Sequence, residues 1–75
     1  MRDQPLLFHH PIDINRADAL LLQQLPGIGP QLSGRIIAWR QEHGNFSELS
    51  DLQRVKGIGP ATLARLRAQI CVSEP

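Results

Sequence analysis

The chain has 75 residues, of which 41% are hydrophobic, and its formal net charge is +1. This length supports one small domain, and the near balance of charges excludes strong general attraction to a polyanion, so affinity for an acidic partner must come from locally placed charges. Because Cys71 is the only cysteine of the sequence, an internal disulfide and a cysteine-based metal site are also excluded.

Residues 1–11, MRDQPLLFHHP, contain a short apolar patch but lack the hydrophobic region of a signal peptide. No apolar run of the sequence reaches the length of a transmembrane helix, so we expect a soluble molecule in which these residues form a flexible N-terminal arm. His9 and His10 have no third ligand at helical spacing, and no metal site is predicted there.

Helical signals begin at Asp18, an expected N-cap that precedes strong helix formers as far as Leu25. The dipeptide 26–27 should end this helix, and Pro30 suits the first turn of the next one, where an N–H is not needed. Gly44 can end the second helix with a positive φ. One apolar face of this helix is predicted to pack on the core, and its residues are Leu32, Ile36, Trp39 and His43.

The second half of the sequence has the same plan. Ser47 should cap a shorter helix, Pro60 should begin the last one, and Phe46 should fill the junction between the halves. No segment alternates with period two over a useful length, so strands are not expected. The sequence predicts an all-α fold with four main helices in two hairpins.

One six-residue pattern occurs twice, as LPGIGP at 25–30 and as VKGIGP at 55–60. The alignment of these copies also places Arg35 on Arg65 and Pro26 on Lys56. In each copy two glycines flank an isoleucine, and we expect both glycines to be steric requirements of a tight turn whose isoleucine points into the core. The repeat predicts two hairpins related by a pseudo-twofold axis.

Such a turn suits a phosphate group, because glycines leave the backbone amides accessible and the next helix begins with free N–H groups. Two turns should hold both strands of duplex DNA without sequence preference, since amides read phosphate positions and not bases. Arg35, Arg65 and Lys56 should contact the phosphate backbones of the same two DNA strands. The predicted DNA-binding residues are Gly27, Ile28, Gly29, Gln31, Arg35, Lys56, Gly57, Ile58, Gly59, Ala61 and Arg65.

Catalysis has little support, because the acidic residues are scattered and neither a Ser/His/Asp set nor a Walker sequence is present. We therefore expect a binding domain and not an enzyme. Arg40 is expected to pair with an acidic residue, such as Glu42 or Asp51, and not with DNA.

The string INRAD…LPGIGP…IIAWRQEHGNFSELSDLQRVKGIGP resembles the DNA-binding domain of the ComEA-type competence receptors, a family with tandem helix-hairpin-helix motifs. The resemblance covers roughly residues 12–71 and implies a double helix-hairpin-helix domain, followed by a tail at 72–75. It also implies binding of double-stranded DNA on the minor-groove side for DNA uptake during natural transformation, together with other DNA-uptake proteins. Bacterial receptors of this family work on the periplasmic or extracellular face of the inner membrane.

Related hairpin corners sometimes hold a monovalent cation on their carbonyl groups, and the resemblance implies no other cofactor. Two alternative functions remain open at this point. One is a protein-interaction module that uses Leu20, Leu21 and the N-terminal arm as its contact surface. The other is a detached DNA-binding module of a DNA repair protein.

Overall fold

A computed structural model of the chain describes residues 11–72. The expected tail, apart from Val72, lies outside these residues, as do His9, His10 and the rest of the expected arm apart from Pro11. The elements are β1 (Ile12–Asp13), α1 (Ala19–Leu22), α2 (Pro30–His43), a 3-10 helix (Leu49–Arg54), α3 (Pro60–Leu66), a second 3-10 helix (Arg67–Gln69) and β2 (Ile70–Cys71). The prediction of an all-α fold is confirmed in its coarser form, a mostly helical domain, but the expectation that strands are absent is wrong.

The first helix, α1, begins where the sequence predicts. Asp18 is its N-cap, and the carboxylate accepts a hydrogen bond from the N–H of Leu21 at 2.9 Å. The helix ends at Leu22, earlier than expected. It stops there because the amides of Gln24 and Leu25 bond to carbonyls only three residues back, which is the tighter 3-10 pattern.

The long helix α2 agrees with the sequence at both of its ends. Pro30 occupies its first turn, and Gly44 ends it with a φ of 89°. Burial varies along the predicted apolar face of this helix. Ile36 is buried, Leu32 and Trp39 are partly buried, and His43 is exposed. The face therefore contributes to the core mainly through its central turns.

An aromatic stack joins the end of α2 to the junction between the two halves. Trp39 lies between His43 and Phe46, with ring centroids 4.6 and 4.5 Å apart. Phe46 is only 1% exposed, which confirms its predicted role in filling this junction.

The entry to the third helix differs from the prediction. Glu48, and not Ser47, is the N-cap, and the helix that follows is of the 3-10 type. The prediction fails because the carboxylate of Asp51 accepts hydrogen bonds from the N–H groups of Ser47 at 3.0 Å and Glu48 at 3.3 Å, which moves the start of the helix by one residue. Arg54 also forms an ion pair with Asp51, with its Nε 3.4 Å from Oδ1 of the carboxylate.

These contacts lower the pKa of Asp51 from its ordinary value of 3.8, with the N–H of Ser47 as the largest cause and partial burial acting in the opposite direction. We expect Asp51→Asn to lower the free energy of unfolding at neutral pH. The pKa of Asp51 is lower in the folded state than in the unfolded state. Its contribution to stability is therefore fully present at a pH above the unfolded-state pKa, and it is lost as the pH falls through the folded-state pKa. Urea unfolding at about pH 7 and about pH 2.5 measures the difference, which should shrink in acid. A difference that does not change with pH would contradict this account.

Two short strands close the domain, although the sequence does not predict them. β1 and β2 pair in parallel, with Ile12 opposite Ile70 and Asp13 opposite Cys71. The N–H of Ile14 extends the pairing with a 3.1 Å bond to the carbonyl of Cys71. Each strand has two residues, and a segment this short cannot show an alternating pattern.

Arg40 attaches the start of the described chain to α2. The guanidinium donates hydrogen bonds to the carbonyls of Ile14 at 2.8 Å and Ala17 at 2.7 Å. The prediction that Arg40 pairs with Glu42 or Asp51 is wrong, because these two carbonyls, between β1 and α1, take up its fork of N–H donors. This role depends on tertiary contacts that the sequence pattern does not show.

The core draws on both copies of the repeat. Leu22 and Leu52 are fully buried at equivalent positions, and the same holds for Ile36 and Leu66. The buried hydrophobic residues are Ile14, Ala17, Leu22, Leu25, Ile28, Ile36, Phe46, Leu52, Val55, Ile58, Leu63, Leu66 and Ile70. Within residues 11–72, no helix is both long and apolar enough to cross a membrane.

Candidate nucleic-acid interface

The two repeated hexapeptides form tight turns between helices, which we call corner 1 (residues 25–30) and corner 2 (residues 55–60). In each corner the isoleucine N–H donates to the carbonyl three residues earlier, at 3.1 Å in corner 1 and 3.0 Å in corner 2. Ile28 and Ile58 are 3% and 4% exposed, as the core-facing prediction requires. With amide and side chain both engaged, these isoleucines can serve an interface only by fixing the corner.

The first glycine of each corner is required by the chain itself. Gly27 has a φ of 80° and Gly57 has a φ of 100°, a region in which a side chain is strained. Corner 2 is also the more crowded of the two. A β-carbon at Gly57 would lie 2.7 Å from Cδ2 of Leu32, whereas the nearest atom to one at Gly27 is a guanidinium nitrogen of Arg65 at 3.7 Å.

The second glycine of each corner is not required by the chain, so that part of the prediction is wrong. Gly29 and Gly59 have φ values of −98° and −106°, which any residue adopts, and each is the N-cap of the following helix. A β-carbon at either position would meet no atom within 4 Å. The sequence does not reveal this, because both glycines of a Gly-Ile-Gly turn look alike.

The six backbone amides that the sequence predicts to bind phosphates make no hydrogen bond within the described residues, 11–72. All six residues are at least partly exposed. The set consists of Gly27, Gly29, Gln31, Gly57, Gly59 and Ala61. Unpaired N–H groups at a surface are ready donors for an anionic ligand.

The three predicted cationic side chains also lie at the corners. Lys56 is exposed within corner 2, at the position that Pro26 occupies in corner 1. The guanidinium of Arg35 donates a 3.1 Å hydrogen bond to the carbonyl of Lys56, and that of Arg65 lies against Gly27. Each arginine thus lies at the corner of the other half of the molecule. The repeat reveals that the two arginines are equivalent, but not which corner each one faces.

Other candidates from the sequence lie away from the corners. Leu20 and Leu21 of α1 are 76% and 39% exposed, the only large hydrophobic side chains so exposed among the described residues. No group of three or more His, Cys, Asp or Glu residues within 11–72 could hold a metal ion. Burial raises the pKa of the Cys71 thiol, and Asp13 adds to the shift.

Comparison with known proteins gives a consistent result. Residues 8–71 match the protein family described as the helix-hairpin-helix motif. The chain is 36% identical over 61 residues to ComE operon protein 1 of Bacillus subtilis, covering 81% of this chain and 30% of that protein. It is 39% identical over 67 residues to an uncharacterized protein of Haemophilus influenzae, covering 88% of this chain and 60% of that protein.

A third relative is a much longer protein, of which this chain matches only a small part. The chain is 35% identical over 68 residues to endonuclease/exonuclease/phosphatase family domain-containing protein 1 of Xenopus laevis, covering 91% of this chain and 12% of that protein. The chain therefore spans between 12% and 60% of the length of these three relatives.

Proposed function

Because the chain belongs to the helix-hairpin-helix family, whose motif implies DNA binding, we propose that it binds double-stranded DNA through the backbone amides of its two corners. This membership, with the similarity to ComE operon protein 1, confirms the resemblance found in the sequence. The binding is independent of sequence, because the ligands of the amides are phosphate oxygens on the minor-groove side.

The observation that carries this proposal is that the fold does not require the second glycine of either corner. Gly29 and Gly59 have ordinary backbone angles and open surroundings, so the fold itself would accept a side chain at both places. Serine, aspartate or asparagine would make a better N-cap. A glycine that the fold does not need is explained by a ligand that approaches the backbone closely.

The proposal includes two hairpins related by a pseudo-twofold axis, so that each corner meets one strand of the duplex. Equivalent contacts in the two copies support this arrangement. The first glycine of each corner has a positive φ, and the second has an extended backbone. The N–H of Ser33 donates a 3.0 Å hydrogen bond to the carbonyl of Gly29, and the N–H of Leu63 donates one of the same length to the carbonyl of Gly59. Two such sites suit a ligand that has two parallel rows of phosphates.

The biological role that we propose is DNA uptake during natural transformation. The resemblance to competence receptors and the similarity to ComE operon protein 1 support it. In this role the domain holds incoming DNA and performs no chemistry on it, and a monovalent cation at a corner would be an accessory. The similarity to an endonuclease/exonuclease/phosphatase family domain-containing protein shows that a related segment also occurs within a much longer protein.

Salt dependence provides the test. If about four phosphates are contacted, the logarithm of the binding constant should fall against the logarithm of salt concentration with a slope of about −3.6. Fluorescence anisotropy titrations with several unrelated duplexes, each at several salt concentrations, measure this slope. Nearly equal affinities support the proposal. Binding to one sequence alone, or binding that salt does not weaken, would contradict it.

A further inference from the structure

We propose that each phosphate site combines the corner of one half with the arginine of the other half, so that Arg65 serves corner 1 and Arg35 serves corner 2. This inference rests on the proposed DNA binding and specifies how each site is assembled. It makes neither hairpin a complete binding unit, because the amides and the cation of one site come from different halves of the chain.

The assignment of Arg35 to corner 2 follows from two contacts. Its Nη1 donates a hydrogen bond to the carbonyl of Lys56 at 3.1 Å. The same nitrogen lies 3.1 Å from the position that a β-carbon at Gly57 would take. One of five guanidinium N–H donors is used in this bond, so the others can reach a phosphate held by the neighbouring amides.

The assignment of Arg65 to corner 1 follows from its place beside Gly27. Its Nη1 is 3.7 Å from the position of a β-carbon at that glycine, and its side chain is exposed. Within residues 11–72, Arg65 makes no hydrogen bond or ion pair, so its donors are available to a ligand. The hexapeptide of corner 1, LPGIGP, contains no basic residue, so Arg65 supplies the positive charge there.

The two sites are therefore unequal in charge. Corner 2 has Lys56 and Arg35, whereas corner 1 has Arg65. Loss of Arg65 should consequently weaken binding more than loss of Arg35. A lysine placed at residue 26 would give corner 1 the charge that corner 2 already has, and the matching backbone of the two corners shows that a lysine is accommodated there.

The experiment uses the full chain and the duplex titration described above. Arg65→Gln should weaken binding about tenfold and reduce the magnitude of the salt slope by about 0.9. Pro26→Lys in the Arg65→Gln protein should restore most of the affinity. The same Pro26→Lys change in an Arg35→Gln protein should not restore it, because Arg35 faces the other corner. Arg67→Gln, an equal change of charge at a nearby exposed arginine, should alter affinity less than about twofold.

Urea unfolding of each variant checks that the fold is kept. Rescue of both arginine variants by Pro26→Lys to the same extent would overturn the crossed assignment, since it would show a general effect of charge. An Arg65→Gln protein that binds as well as the unmodified chain would overturn it too. In both cases the unmodified chain still binds duplexes, so the proposed function stands. Absence of binding by the unmodified chain would overturn both proposals.

Discussion

Serine in place of both Gly29 and Gly59 should weaken binding to duplex DNA by about a hundredfold, roughly tenfold for each corner. The same change should leave the free energy of unfolding unchanged or raise it by a few tenths of a kcal/mol, since serine is a slightly better N-cap than glycine. The extended backbone and the open space at both positions permit the substitution.

The loss of binding has two physical causes. The serine hydroxyl would accept a hydrogen bond from an amide of the first helical turn, Gln31 or Leu32 in corner 1, and so remove a donor from the phosphate site. The new β-carbon would also hold a phosphate away from the backbone. A protein that becomes no less stable and yet loses its ligand separates the requirements of the fold from those of the interface.

Anisotropy titration and urea unfolding on the same samples measure both quantities. The matched control is Gly34→Ser, a change of the same residue types in the exposed part of α2, where a β-carbon also meets no atom within 4 Å. That variant should bind duplexes with an affinity within about twofold of the unmodified chain, because its effect on the helix is below about 1 kcal/mol and Gly34, one turn inside α2, supplies none of the predicted amide donors. Full binding by the Gly29→Ser, Gly59→Ser protein would show that the corner amides are not the interface.

The largest expected effect on stability belongs to Gly57→Ala, which should lower the free energy of unfolding by about 2–3 kcal/mol. A left-handed backbone costs a side chain about 1–2 kcal/mol, and pushing the end of a partly buried leucine side chain off its rotamer costs about 1 kcal/mol more. Both apply here, because Gly57 has a φ of 100° and its β-carbon would lie 2.7 Å from Cδ2 of Leu32. At about 0.05–0.15 kcal/mol per residue, the loss would be a large share of the total stability.

The comparison that isolates the crowding is Gly27→Ala. Gly27 has a similar φ of 80°, and its nearest neighbour, Nη1 of Arg65, would lie at an ordinary contact distance of 3.7 Å, so its replacement should cost only about 1–2 kcal/mol. Gly34→Ala, within α2, should instead raise stability by about 1 kcal/mol. Urea unfolding of the three variants gives these differences. Equal losses at Gly27 and Gly57 would mean that Leu32 moves aside without cost and that the two corners are equally tolerant.

The features that could be predicted from the sequence are local ones. Asp18 caps α1 through an amide three residues away, and Gly44 ends α2 by its own backbone angles. The place of each corner, its first glycine and its buried isoleucine are predicted correctly because a repeat specifies the same turn twice, and these features depend on residues within the hexapeptide. Such features need no knowledge of what lies across the molecule.

The features that escaped prediction depend on contacts between distant parts of the chain. Arg40 binds carbonyls 26 and 23 residues away, and the carbonyl partner of Arg35 lies 21 residues away. A charged side chain can pair with many groups, and its spacing alone does not select among them. The second glycines are predicted wrongly for a different and local reason, since their backbone angles follow from the start of the next helix and not from the turn.

The parallel pairing of β1 with β2 has a mechanical consequence. A pull on the residues before Ile12 and after Cys71 acts along the two strands in opposite directions, because the strands run side by side in the same sense. The hydrogen bonds between them would then bear the load together, in shear, and would not open one after another. A force applied through the two ends of this domain would therefore load the paired strands before it loaded either phosphate-binding corner.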